Sequence, residues 1–174
     1  MKKLFAMLLA LVMALTLVAC GEQGGNDPQG GATGDKVIKI GVFEPSSGDS
    51  ASGGKKEILG MQYASKMFPT VTVGGEEYQV ELVYADNASS NDKAPTAAQT
   101  LISQGVSVVL GSYGSGVSIA AADTFAEAQI PAIGVSCTNA SVTDGHDWYF
   151  RICFLDPFQG SVMAQFAWDM VAAA

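Results

Sequence analysis

Gly111-Ser112-Tyr113-Gly114-Ser115-Gly116 is the segment of this chain best equipped to handle a ligand. An apolar run precedes it and a helical pattern follows, which is the setting of a dinucleotide-binding turn. The spacing is G-x-x-G-x-G, however, and the next strand ends in Val135-Ser136-Cys137 with no acid to hold a ribose. A nucleotide cofactor is therefore not expected. A helix N-terminus offers free backbone N–H groups and a partial positive charge, so it holds anions. Ser115 stands where such a helix should begin, and Gly116 lets a ligand come close. A carboxylate there would accept bonds from the Ser115 hydroxyl and from the N–H groups near Val117. The same hydroxyl also suits a cap for its own helix, and it can rotate between the two roles. In the next loop, Ser136-Cys137-Thr138 offers a carbonyl and a hydroxyl to an ammonium group, or makes an ordinary strand-to-turn transition.

Bond-making chemistry is poorly supplied. Ser115 lacks the G-x-S-x-G frame of a hydrolase nucleophile. His146 is the single histidine, nine residues from Cys137 with nothing evident to orient its ring. Glu44 and Asp86 are the only acids at strand ends and do not read as an acid–base pair. One histidine and two or three cysteines make no metal-ligand set. Neither a metal nor a cofactor is expected, and the chain reads as a binder rather than an enzyme.

The elements that must position these residues alternate in type. Residues 36–43 form a β-branched apolar run and predict a strand. Residues 45–54 read as a loop of small residues, and 55–68 as a helix stopped by Pro69. Residues 70–73, Gly74-Gly75 and 78–84 read as a turn leading into a second strand. Helices are predicted over 93–104, with Pro95 in the first turn, and over 115–129. Further strands are predicted over 106–110, 130–135 and 148–153, and a last helix from 158. Alternation of this kind predicts an α/β fold, a parallel sheet flanked by helices. Ligands bind such sheets beyond the carboxyl ends of the strands. The loops there are 45–54, 86–92, 111–118 and 136–143, three of them rich in Gly, Ser and Thr.

The N-terminus has another purpose. Lys2-Lys3, an apolar stretch over 4–18 and Leu17-Val18-Ala19-Cys20-Gly21 have the order of a secretory leader. The cleavage point resembles the lipobox of bacterial lipoproteins. That resemblance implies a leader over 1–19, a lipidated (palmitate-bearing) Cys20 and an extracytoplasmic protein anchored to the membrane. Residues 21–35 hold six glycines and no large apolar side chain, so 20–35 reads as a flexible tether. The formal charge is -8, and loss of Lys2 and Lys3 with the leader takes it to -10. No basic stripe is present, which argues against a nucleic-acid partner and against polybasic membrane binding. Cys137 and Cys153 are free to pair in such a compartment, or to stay as two lone thiols.

Taken together, IKIGVFEPSSG, LGMQYASKMF with Gly60, YQVELVYADNASSNDKA, VSVVLGSYGSG, QIPAIGVSCTNASVT and YFRICFLDPFQG run in order from Lys36 to Gly160. In this the chain resembles the N-terminal half of type I periplasmic binding proteins of the branched-chain amino acid class, the extracytoplasmic receptors of ABC importers. The resemblance implies two hinged lobes that close on an amino acid and deliver it to a membrane permease. It places Ser115, Ser136 and Thr138 on the ligand's carboxylate and ammonium, with Tyr113 and Gly114 beside the pocket. It implies a ligand-binding lobe over 36–155 and, over 156–174, the start of a crossover helix toward a second lobe. On this reading the chain is an N-terminal fragment, whose lone lobe binds weakly or not at all. Ser136 and Cys137 stand where Ala or Gly is common, and the first loop has no aromatic near Gly53. A ligand sensor of the same fold and a secreted α/β enzyme are the alternative readings.

Overall fold

The computed structural model describes residues 36–173. The leader, Cys20 and the tether lie outside the described residues. Eleven regular elements follow in order. They are β1 (Val37–Glu44), α1 (Ala51–Met67), β2 (Thr70–Val73), β3 (Glu76–Asp86), α2 (Ala94–Ser103), β4 (Val108–Leu110), α3 (Ser115–Glu127), β5 (Ala132–Gly134), a single 3-10 turn (Ala140–Val142), β6 (Tyr149–Arg151) and α4 (Asp156–Ala172).

The six strands form one sheet in the order β2-β3-β1-β4-β5-β6. β1 pairs in parallel with both β3 and β4, and β4–β5 and β5–β6 are parallel too. The edge differs from the expected all-parallel arrangement. β2 runs antiparallel to β3, because Gly74-Gly75 closes a two-residue hairpin too short for any crossover. The sheet is therefore mixed, with a parallel centre.

Alternation along the strands sorts the side chains by face. Phe43, Val83, Ala85 and Val109 point toward α2 and α3 and build the main core with Leu101, Val117, Phe125 and Tyr149. The helices approach closely here because they meet through small residues, Ala94, Ala97 and Ala98 against Ala121 and Ala122. Phe43 and Phe125 sit edge to face at 5.4 Å, and Phe125 meets Tyr149 at 6.5 Å. The opposite face, carrying Ile40, Val80, Leu82 and Leu110, is covered in part by α1. A cavity of about 400 Å³ remains there against Met61, Ala64 and Phe68.

α1 begins at Ala51, earlier than the glycine-rich sequence suggests. Gly53 and Gly54 are buried, and a side chain at Gly54 would strike the Pro45 carbonyl. Packing, not propensity, sets this helix start. α4 has no buried residue, and Phe158, Val162, Phe166 and Trp168 are exposed along it. Among the described residues, no helix is long and apolar enough to cross a membrane.

Phe125 joins the two halves of the main core. Phe125→Ala is expected to lower unfolding free energy by about 3–5 kcal/mol in urea denaturation. A loss under about 1 kcal/mol would contradict the packing described here.

Candidate functional site

From β1 the chain crosses to β3 on one side, and it returns past β1 to β4 on the other. The strand order therefore reverses between β1 and β4, and the loops that leave these two strands part to open a crevice. α1 and α3 both start at this end of the sheet, so two helix N-termini point their N–H groups toward it.

A polar network, exposed at Asp86 and buried at Asn87, fixes the loops. Asp86 closes β3, and its Oδ1 accepts from the N–H groups of Ser46 at 2.9 Å, Ser47 at 3.3 Å and Ala88 at 2.8 Å. Its Oδ2 accepts from Ser47 Oγ at 2.6 Å. Burial opposes its ionisation, but bonds from Ser47, Ala88 and Ser46 outweigh this and draw Asp86 down to about 2. Asn87 is wholly buried and donates to the Phe43 carbonyl at 3.2 Å and to Ser112 Oγ at 3.0 Å. The first and third loops are thus tied to the second.

Glu44, the last residue of β1, is the unexpected member. It is 1% exposed. Its Oε2 accepts from the Tyr113 N–H at 2.8 Å. Burial first, then the neighbouring carboxyl of Glu57 on α1, push Glu44 up to about 9, against the pull of the Tyr113 N–H. Glu57 Oε1 accepts in turn from Ser136 Oγ. The sequence reading found no pair of acids here; the fold makes one, because Glu57 reaches over from the helix. Gly111 gives the pair its room. Its φ is 120°, and a side chain there would come within 2.7 Å of Glu44 Oε1.

The five residues expected to touch a ligand fall on two adjacent loops. Gly114 is the extended N-cap residue of α3 and makes no side-chain cap bond. Ser115 does not cap the helix either; its Oγ accepts from the Asn139 N–H at 3.3 Å. That bond brings the α3 N-terminus beside the loop that carries Ser136 and Thr138. Tyr113 is 43% exposed, and its ring lies on Gly53, where a Cβ would be 2.3 Å away. Thr138 is partly buried, and its carbonyl accepts from the Asp156 N–H at 3.0 Å. Arg151 fastens this loop from below, donating to the carbonyls of Cys137 at 3.4 Å, Asn139 at 2.8 Å and Ala140 at 3.0 Å, and to Thr143 Oγ1. Arg151 was missed, although the one arginine of the chain, set at the end of a short apolar strand, is a signal in itself.

The other candidates stand apart. Cys137 and Cys153 are both free, and burial pushes the Cys137 thiol up to about 11, far from a nucleophilic thiolate. His146 faces Asp123 at 3.7 Å, away from the crevice. Among the described residues, no three potential ligands cluster for a metal. Hydroxyls, backbone N–H groups and carbonyls at the open end of a sheet are equipment for holding a small polar molecule.

The fold has counterparts among known proteins. Residues 37–173 match the periplasmic binding protein family, and the chain belongs to it. The Leu/Ile/Val-binding protein homolog 2 of Brucella abortus is 31% identical over 140 residues, 80% of this chain and 38% of that protein. The amino acid binding protein of Pseudomonas aeruginosa is 32% identical over 78% of this chain and 37% of its own length. Among solved structures, the leucine-binding protein LivK of Thermotoga maritima superposes with a TM-score of 0.70 at 34% identity, covering 78% of this chain and 38% of that one. LivJ of Streptococcus pneumoniae, in complex with isoleucine, gives 0.62 at 33% identity, covering 70% and 35%. A Rhodopseudomonas palustris solute-binding protein in complex with 3,4-dihydroxybenzoic acid gives 0.61 at 27%, covering 68% and 32%. The chain spans about 38% of the length of the first of these relatives.

The folded state holds a proton on Glu44 that the unfolded chain releases above the ordinary value of 4.5. That contribution is full below about 4.5, erodes as pH rises and is gone above about 9. Between those limits it falls by about 1.4 kcal/mol per pH unit. Urea denaturation of wild type and Glu44→Gln from pH 5 to 9 should show this slope removed in the variant. Identical profiles would contradict it.

Proposed function

We propose that this chain supplies the ligand-gripping lobe of an extracytoplasmic receptor that captures an amino acid, of branched-chain or related type, for an ABC importer. One observation carries the reading: Asn139 N–H to Ser115 Oγ at 3.3 Å brings the α3 N-terminus against the Ser136–Thr138 loop. A zwitterion needs an anion seat and a cation seat a few ångströms apart, and this arrangement has both. The carboxylate lies at the N-terminus of α3 with Ser115. The ammonium takes the carbonyl and hydroxyl groups of the neighbouring loop, with Thr138 among them. Tyr113, flat on Gly53, borders the side-chain space, and Gly114 leaves the helix end open.

No covalent step is assigned to this site. The ligand works by favouring a closed receptor, in which a second lobe covers it. The exposed apolar residues of α4 suit a segment that runs on into further structure. The lipid anchor at Cys20 rests on the leader sequence.

In the protein expressed from its complete reading frame, Ser115→Ala and Thr138→Val should each weaken L-leucine or L-isoleucine binding by about 1–3 kcal/mol, read by calorimetry. Unchanged affinity in both would refute the site. Cys20→Ser should release the protein from the membrane fraction. Retention there would count against the anchor.

A further inference from the structure

Two serines of the crevice have opposite hydrogen-bonding obligations. A hydroxyl has one proton to give and two lone pairs with which to accept. Ser136 Oγ gives its proton to Glu57 Oε1. Toward a ligand it has only lone pairs left, so it is an acceptor. Ser115 Oγ instead receives the Asn139 N–H. Its own proton is unspent, so it is a donor. The crevice is poled, with a donor at the start of α3 and an acceptor at the end of β5.

A pair of acids holds the acceptor in that state. Glu44 Oε1 and Glu57 Oε2 are both buried and have no hydrogen-bond partner among the described residues. Burial, with Glu57 close by, keeps the proton on Glu44 at neutral pH. Glu57 accepts from Ser136 through its other oxygen. Among the described residues the ion pairs are Lys36 with Glu76 and His146 with Asp123, so neither acid is paired with a cation of the lobe. Lys55 lines the same cleft as Glu44 without pairing to it.

We propose that Glu57, backed by Glu44, determines specificity: by holding the Ser136 proton it makes this end of the crevice an acceptor of negative character, which takes an ammonium group and disfavours acids that lack one. The inference rests on the amino-acid reading of the site and deepens it. The geometry favours α-amino acids over carboxylic acids of the same side chain. Glu57→Gln replaces the carboxyl with an amide and offers Ser136 an N–H as well as a carbonyl, so the hydroxyl can turn its proton to the ligand.

The test compares L-leucine with 4-methylpentanoate, the same skeleton without the amino group. Calorimetry on the protein from its complete reading frame should show wild type preferring leucine. Glu57→Gln should lose about tenfold or more of that preference, as should Ser136→Ala, and the double variant should lose no more than either single one. Circular dichroism checks folding, and if Glu57→Gln does not fold, Ser136→Ala decides alone. Leucine binding with an unchanged preference in the folded variants overturns this inference and leaves the amino-acid reading standing. Wild type binding neither probe, or both equally, overturns the inference, and binding of neither overturns the amino-acid reading too.

Discussion

A carboxyl group sealed beneath the end of a central strand constrains everything above it. Glu44 has almost no contact with water. Each of its oxygens must be matched or kept protonated, since a bare buried charge costs several kcal/mol. The structure meets that demand with the Tyr113 N–H on one oxygen and Glu57 near the other. These bonds also fix parts of the site. Tyr113 begins the turn into α3, and Glu57 holds Ser136 across the crevice. One demand for satisfaction thus aligns β1, α1, the β4 loop and the β5 loop.

The remaining loops are held by the same means. Asp86 and Asn87 collect the first two, and Arg151 gathers the carbonyls of the last. The site is therefore placed by hydrogen bonds between side chains and loop backbone, from the buried Asn87 to the exposed Asp86. This is consistent with a lobe that keeps its shape while a partner segment closes over it. In the proposed pose the helix N-termini face the carboxylate and the two acids face the ammonium.

Much of this could be read from the residues before any coordinates. Apolar runs such as Val106 to Leu110 mark buried strands whatever surrounds them, and the order of strands and helices follows from them. Ser115, Ser136 and Thr138 could be placed at the open end of the sheet because each follows a strand, where a parallel sheet must present its loops. The start of α1 was not, since Gly53 and Gly54 signal a loop locally and become helical only because Tyr113 and Pro45 pack on them. Nor was the acid pair. Glu44 stood out as an acid at a strand end, but Glu57 meets Ser136 across 79 residues of chain, and no local pattern encodes a contact of that range. The antiparallel edge was half visible, because Gly74-Gly75 marked the turn but not the pairing that followed.

The central claim is that these loops seat a zwitterion with its carboxylate at the start of α3 and its ammonium at the β5 loop. A crystal structure of the receptor with L-leucine bound would test it most directly. The account predicts the ligand carboxylate within hydrogen-bonding distance of Ser115 and its amino group beside Ser136 and Thr138. An amino acid bound the other way round, or lodged in the cavity beneath α1, would contradict it.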